Sequence, residues 1–399
     1  MLTRLADFIK NSEQGLEAET ILRGCVHCGF CNASCPTYQL LGDELDGPRG
    51  RIYLIKQLLE GETPTQLSRR HLDRCLNCRA CETACPSGVK YGRLLDIGRN
   101  IEAQQLARPW KQRLLRRLLL WILPYPRRFK LLASLGRSLR PFLTDRLKAK
   151  LPARPEPGAW PPARHDRRML VLEGCVQPAL APNINAAAAR VLDRLGISLI
   201  PAVSAGCCGA LPYHLNDQAG GLDMMRRTID ACWPHLENGV EAIVSTASGC
   251  GLGIKDYGLL LCNDPDYAEK AARISALTRD IGEVLQAEDL SVLRIQACGI
   301  AFHSPCTLQH GQQLNGVVEN ILSGLGFTLT AVADAQLCCG SAGTYSILQP
   351  ELAGRLQAAK ISALQAGQPQ LIATANIGCL LHLREKADIT VLHWIELLE

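Results

Sequence analysis

Two stretches, CVHCGFCNASCP at 25 to 36 and CLNCRACETACP at 75 to 86, each set four cysteines within eleven positions and close on a proline. Loops so rich in thiols cannot build a hydrophobic core of their own, so whatever the thiols hold must organise the backbone around them. The chain carries nineteen cysteines in 399 residues, with 47% apolar and 20% charged residues. A chain of this length buries a sizeable core without help from disulfides. The N-terminal MLTRLADFIKNSEQG has no apolar stretch followed by a small-residue cleavage site, so no export signal is read and the expected address is the cytoplasm. In a reducing compartment, clustered thiols bind metal or do redox chemistry. The longest apolar run, LLLWIL at 118 to 123, is too short to span a bilayer.

Both runs follow Cys-x2-Cys-x2-Cys-x3-Cys-Pro, the spacing of two-cluster bacterial ferredoxins. Three cysteines at intervals of three wrap one corner of a cubane, and the fourth, by the rule for this motif, ligates the other cluster. The expected ligands are Cys25, Cys28, Cys31 and Cys85 for one 4Fe–4S cluster, and Cys75, Cys78, Cys81 and Cys35 for the second. Gly29 and the small Ala80 are expected to keep bulk away from the inorganic core, while Pro36 and Pro86 fix the backbone as it leaves each loop. A pair of structural zinc sites is the rival reading of the CxxC pairs. Zinc needs neither the third cysteine nor a Cys-Pro ending repeated twice. Neither cluster offers an open coordination position, so the module reads as a wire and no residue is assigned a catalytic role.

From Arg108 to Lys150 the chain holds thirteen Lys or Arg and one acid, Asp145. Leucines at 114, 115, 118 and 119 alternate with cations at 113, 116 and 117, an amphipathic helical pattern interrupted by Pro124 and Pro126. Such a segment suits an anionic lipid surface, with Trp110, Trp121 and Tyr125 at headgroup depth, and equally suits a linker docked on other protein. Nothing else in the chain has a base-reading pattern, so nucleic acid is not expected as a partner. Arg49 and Arg51, in DGPRGR, are candidates for raising a cluster's potential through charge, although arginines are more often solvated. The proline-rich 151 to 168 reads as a boundary.

Beyond the boundary, short apolar strands alternate with helices. MLVLEGC, ISLIPAV with AGCCGA, and EAIVSTASGC are followed by IAFHSPC, FTLTAV with CCGSAG, and LIATANIGC. Thirty-one residues separate Cys175 from Cys207 and thirty-one separate Cys306 from Cys338. This self-similarity argues for duplicated α/β units with cysteines at strand ends, where such folds place ligands. Each unit offers a candidate metal site: Cys175, Cys207, Cys208 and Cys250 in one, Cys306, Cys338, Cys339 and Cys379 in the other. An iron–sulfur cluster, zinc or nothing are all compatible with this spacing. His303 and His382 lie beside the second set, where a hydrogen-bonded structural role is the commoner one. Cys232, Cys262 and Cys298 fit small buried hydrophobes.

The expected fold is an α+β multidomain chain: an α-helical two-cluster ferredoxin-type domain over 1–105, a basic amphipathic helical connector with the proline-rich boundary over 106–168, and two duplicated cysteine-rich (CysCysGly) α/β units over 169–295 and 296–399. Two ferredoxin runs followed by two CysCysGly units resemble the iron–sulfur subunits found with heterodisulfide reductase, anaerobic glycerol-3-phosphate dehydrogenase and lactate-utilisation systems. The full order of CVHCGFCNASCPTYQLLGDELDGPRGRIYLIKQLLEG, LDRCLNCRACETACPSGV, LEGCVQP, AGCCGA, TASGCG, CTLQHGQ, LCCGSAGTYS and TANIGC is similar, more narrowly, to iron–sulfur subunits of bacterial glycolate oxidase, also called glycolate dehydrogenase.

That resemblance implies a division of labour. FAD-containing partner subunits oxidise glycolate, or D-lactate, and this chain carries the electrons to a membrane acceptor such as quinone, from a peripheral position on the inner face of the cytoplasmic membrane. No glycine-rich phosphate loop is present for a flavin or nucleotide, since GCGLG at 249 to 253 lacks the spacing. In heterodisulfide-reductase relatives the last cysteine of each unit opens a CxxC pair; here the second member is Gly253 or His382. A disulfide-cleaving cluster is therefore not expected, while a quinone-reducing site within the CysCysGly units is the alternative.

Overall fold

The computed structural model describes residues 1–142 and 157–399. It forms two compact units, one of Met1–Arg116 with Gln336–Lys360, the other of Arg117–Ala335 with Ile361–Glu399. Part of the basic connector and of the proline-rich boundary, 143–156, lies outside the described residues.

The first unit is helical, and its helices start where the sequence supplies caps. Ser12 accepts a hydrogen bond from the Gly15 N–H at 3.0 Å to open Glu13–Gly24, and Pro48 occupies the first turn of Pro48–Leu59. Thr65 and Ser68 make a reciprocal capping box for Gln66–Asp73. The core between these helices and Tyr91–Gln105 contains Leu22, Ile55, Leu59, Leu72, Leu94 and Leu95, and Cys25 and Cys81 are packed into the same core. Gly98 permits close helix contact, because a Cβ there would come within 2.7 Å of the Ile55 side chain. The buried Arg69 pairs with the buried Glu102 and donates to the Ala107 carbonyl at 3.0 Å, tying the end of the last helix to the third.

The connector begins as two helices, Trp110–Ile122 and Pro126–Ser138. Leu114, Leu118, Trp121, Leu131 and Leu135 are exposed on them, and Arg128 stacks over the rings of Trp121 and Tyr125 at 5.2 and 4.1 Å. No helix among the described residues is long and apolar enough to cross a membrane.

The second unit holds two parallel sheets of four strands. The first comprises β1 (Arg167–Val171), β2 (Ile197–Pro201), β3 (Ala242–Ser245) and β4 (Thr278–Asp280), in the order β2-β1-β3-β4. The second comprises β5 (Gly299–His303), β6 (Thr328–Leu329), β7 (Leu371–Thr374) and β8 (Val391–His393), in the order β6-β5-β7-β8. The two orders are the same, so the duplication read from cysteine spacing is a duplication of topology. Helices cover both faces, which is why β3 is buried at every position and reads as a continuous apolar run rather than an alternating one. β4 and β8 escape sequence reading because they are three residues long and include Thr278, Arg279 and His393.

The two repeats meet through matching turns. Ser248 N–H donates to the Ala375 carbonyl at 3.2 Å, Gly249 N–H to Asn376 Oδ1 at 3.3 Å, and Ser248 shares a 2.7 Å hydroxyl contact with Thr307. β4 and β8 each end in a residue that caps the following short helix, with a glutamate three positions on completing a capping box: Asp280 with Glu283, and His393 with Glu396. Burial acts on the two in opposite directions. It pushes the Asp280 carboxyl up to about 7 and the His393 imidazole down to about 4, so both prefer to be neutral.

Asp280 holds its proton more tightly folded than unfolded, so it costs stability progressively as pH rises from 3.8 towards 7. Asp280→Asn, which keeps the cap, should therefore become increasingly more stable than the natural chain across that window and hold a constant advantage above it. Urea midpoints at a series of pH values check this; a difference independent of pH would contradict it.

Candidate metal centres

The two ferredoxin-type loops share a backbone design. In the first, His27 and Gly29 are left-handed (φ 61° and 89°); in the second, Asn77 and Arg79 take the same places (φ 52° and 61°). Each loop then enters a four-residue helix, Phe30–Ala33 or Ala80–Thr83, that carries the third cysteine. The structural counterpart of Gly29 is thus Arg79, whereas the sequence reading set Gly29 beside Ala80. At Gly29 the constraint is the left-handed φ; a Cβ there would lie 2.7 Å from the Arg49 guanidinium, the movable end of a flexible side chain.

The thiols gather in two groups. Burial, together with the thiols of Cys25, Cys85 and Cys28, pushes the Cys31 thiol up to about 11. Burial, followed by the thiols of Cys78 and Cys75, Glu82 and the thiol of Cys35, pushes Cys81 far above its ordinary value. In each case the neighbours include the last cysteine of the other run. Cys25, Cys28, Cys31 and Cys85 line one cavity, which Cys81 and Tyr91 of the neighbouring group also reach, with Val26, Ile52 and Val89 among its apolar walls. Crowded thiols resist ionising together unless a cation draws their protons off, so the donor chemistry fits a thiolate-ligated iron–sulfur cluster.

The second group is set in a polar, buried surround. Arg51 is 0% exposed and donates to the His71 carbonyl at 2.7 Å, to Thr37 Oγ1 at 3.0 Å and to Cys35 Sγ at 3.9 Å. Tyr91 Oη and the Asn77 N–H donate to Cys75 Sγ at 3.6 and 3.5 Å. Burial opposes the Arg51 charge, but Cys75, Tyr91, Cys35 and Asp46 outweigh it and hold the guanidinium above its ordinary range. Asp46, fully buried, is shared with His71 Nδ1 at 3.0 Å and Arg74 at 2.7 Å. Tyr345, from the returning segment of the first unit, donates to the Arg74 carbonyl at 3.0 Å. Burial raises its phenol well above the usual range, with Arg51, Cys75 and Cys338 all close enough to act on it. Tyr91 and Tyr345 have no local sequence signature for this placement; only the assembled unit brings them to Cys75.

In the second unit, Cys175, Cys207, Cys208 and Cys250 converge. β1 runs into the loop with Cys175 and β3 into the turn with Cys250, at the point where the strand order reverses and parallel sheets form a crevice. Hydrogen bonds to Cys175 and Cys208 raise the Cys207 thiol; a hydrogen bond to Cys208 raises Cys250; accepting from both holds Cys208 well below the ordinary thiol range. Tyr257 Oη fixes the Cys208 carbonyl at 2.7 Å. Four convergent thiols with one favoured as thiolate suit a soft metal or an iron–sulfur cluster. A Cβ on Gly253 would stand 3.8 Å from Cys208 Sγ, so this is the place where a fifth thiol would face the group, and the chain supplies none.

Of the other set, Cys338 and Cys339 are buried in the first unit, while Cys306 and Cys379 lie in the second. His303 is buried and its Nδ1 lies 2.9 Å from Thr374 Oγ1, an internal hydrogen bond of the second sheet. His382 is buried on Ile377–Arg384.

A 4Fe-4S dicluster domain model matches residues 21–89, and a cysteine-rich domain model matches 169–255 and 300–384. The chain is 57% identical over its whole length to the glycolate oxidase iron-sulfur subunit of Escherichia coli, covering 98% of that protein. It belongs to the family of glycolate oxidase iron–sulfur subunits. A probable family member from Bacillus subtilis is 30% identical over 94% of this chain and 91% of its own length. A crystal structure of a hypothetical protein from Helicobacter pylori shares the fold at 12% identity, with a TM-score of 0.54 over 98% of this chain and 73% of that one.

The left-handed pair of loop positions gives a test of the first group. Gly29→Ala places a Cβ on a left-handed residue (φ 89°), at a conformational cost of about 1–2 kcal/mol. It should lose iron faster than the natural chain under anaerobic chelator challenge, while Arg79→Gly, at the matching position, should retain it.

Proposed function

We propose that this chain is the electron-transfer subunit of a complex that oxidises glycolate to glyoxylate. Partner flavoprotein subunits remove two electrons and two protons from the 2-hydroxy acid, and this chain passes the electrons singly to a membrane acceptor such as quinone, which takes up two of each. Cys25, Cys28, Cys31 and Cys85 hold one 4Fe–4S cluster, and Cys75, Cys78, Cys81 and Cys35 the other. The observation that carries this reading is the crossed grouping of thiols in a chain 57% identical to a glycolate oxidase iron–sulfur subunit.

The clusters, when bound, supply one-electron carriers. The residues around them exclude water, hold the ligands at fixed separation and donate to sulfur through Tyr91, Asn77 and Arg51. Cys175, Cys207, Cys208 and Cys250 hold a further metal or cluster. With Gly253 at the fifth position, disulfide cleavage is the disfavoured use of that site. The exposed leucines, tryptophans and cations of Trp110–Ile122 and Pro126–Ser138 favour peripheral attachment to anionic lipid, bringing the chain to its acceptor.

Low-temperature EPR of the complex, purified anaerobically with its partners, tests the reading. Cluster signals should appear on adding glycolate and be absent once the flavoprotein partners are removed. Signals with dithionite but not with glycolate would mean that the clusters are real and the assigned substrate or partner is wrong. Vesicle flotation tests the attachment: the complex should float with phosphatidylglycerol vesicles and stay down with neutral ones, and Leu131→Glu with Leu135→Glu should abolish flotation.

A further inference from the structure

The two thiol groups of the first unit differ in the charge around them. Beside the first group, Arg49 is partly exposed and its guanidinium is engaged by Glu44 at 2.6 Å, so solvent and a counter-charge both screen it. Beside the second, Arg51 is completely buried and points an N–H at Cys35 Sγ from 3.9 Å. Its nearest acid, Asp46, is 3.5 Å away and already shared with His71 and Arg74. Two further donors, Tyr91 Oη and the Asn77 N–H, reach Cys75 Sγ. Glu82 lies on the other side, near Cys81, and works against them; it is half-buried and engaged by the Gly92 N–H at 2.6 Å.

Adding an electron to a thiolate-ligated cluster adds negative charge. A buried cation and hydrogen bonds to sulfur therefore stabilise the reduced form and raise the potential. We propose that Arg51, assisted by Tyr91, makes the cluster on Cys75, Cys78, Cys81 and Cys35 the higher-potential member of the pair. This rests on the ligand assignment of the preceding subsection. Arg51 is then a positioning and tuning residue that sets the direction of flow, from the Cys25 group to the Cys75 group. The direction is consistent with what lies beyond Cys75: Tyr345 stands among Arg51, Cys75 and Cys338, so the favoured end of the pair faces the cysteine pair of the second repeat.

EPR-monitored potentiometric titration of the anaerobic complex reads this directly. The two ferredoxin-type groups are expected to give one one-electron transition each, beside any from the flavins or from the Cys175 group, and Cys78→Asp, by altering one ligand, identifies the one belonging to the second group. That transition should be the higher. Arg51→Gln should lower it so that, at fixed potential, its reduced-to-oxidised ratio falls at least tenfold, which is 59 mV for one electron. The other transition should hold its place, and Arg51→Lys should restore most of the loss. If Arg51→Gln fails to retain iron, Tyr91→Phe, which removes one O–H from Cys75, should lower the same transition by a smaller amount. Unchanged transitions in Arg51→Gln and Tyr91→Phe, or a second-group transition that lies below the first, would overturn the proposal while leaving the ligand assignment standing. Loss of both transitions' 4Fe–4S character in the natural complex would overturn the assignment and the proposal with it.

Discussion

Thiols brought together out of water repel one another as soon as more than one ionises, and the first unit is built around that repulsion. Its helices do not simply bury apolar stripes; they converge on two nests of cysteine whose thiols are hard to ionise unless something positive joins them. Cys31 and Cys81 are held protonated by burial and by neighbouring sulfur. A cation bound by these thiols would reverse this balance. Cys25 and Cys81 are packed into the core with Leu22, Ile55 and Leu94.

How much of this was legible in advance varied with the range of the interaction. The ferredoxin spacing and the amphipathic pattern of the connector are local signals and read directly. So do β1, β3 and β7, each an apolar run between turn residues. The duplication was visible because both repeats kept nearly the same cysteine intervals. What stayed hidden was decided by neighbours distant in sequence. Arg49 and Arg51 look alike in DGPRGR, yet one is paired on the surface and the other is sealed beside Cys35. Tyr91 and Tyr345 are ordinary aromatics until the unit closes around Cys75. Arg79 occupies the left-handed position that Gly29 fills in the first loop, a match of backbone that the two side chains do not announce. β4 and β8 were missed because three residues carry too little pattern.

The second unit solves a different problem with a repeated plan. Each sheet reverses strand order beside its first strand, opening a crevice, and the two repeats join through the turns that lead into Cys250 and Cys379. The same capping position is occupied by Asp280 in one repeat and His393 in the other, an acid and a base whose charged forms burial disfavours. Duplicated folds need not keep duplicated chemistry: the joint between the halves tolerates either residue because both can cap a helix and neither has to carry charge. Gly253 makes the same point at the cysteines, where absence of a side chain defines how many ligands the site presents.

The returning segment of the first unit has a consequence in time. Gln336–Lys360 belongs with Met1–Arg116, yet about 200 residues of the second unit are translated in between. At 5–20 residues per second that interval lasts roughly 10–40 s. Through it both ferredoxin loops have left the ribosome while Tyr345 and its neighbours have not, leaving the Cys75 side without its cover. The hydrogen bond from Tyr345 to the Arg74 carbonyl is thus among the last contacts of the first unit that the growing chain can make, and the Cys75 side is finished after the rest.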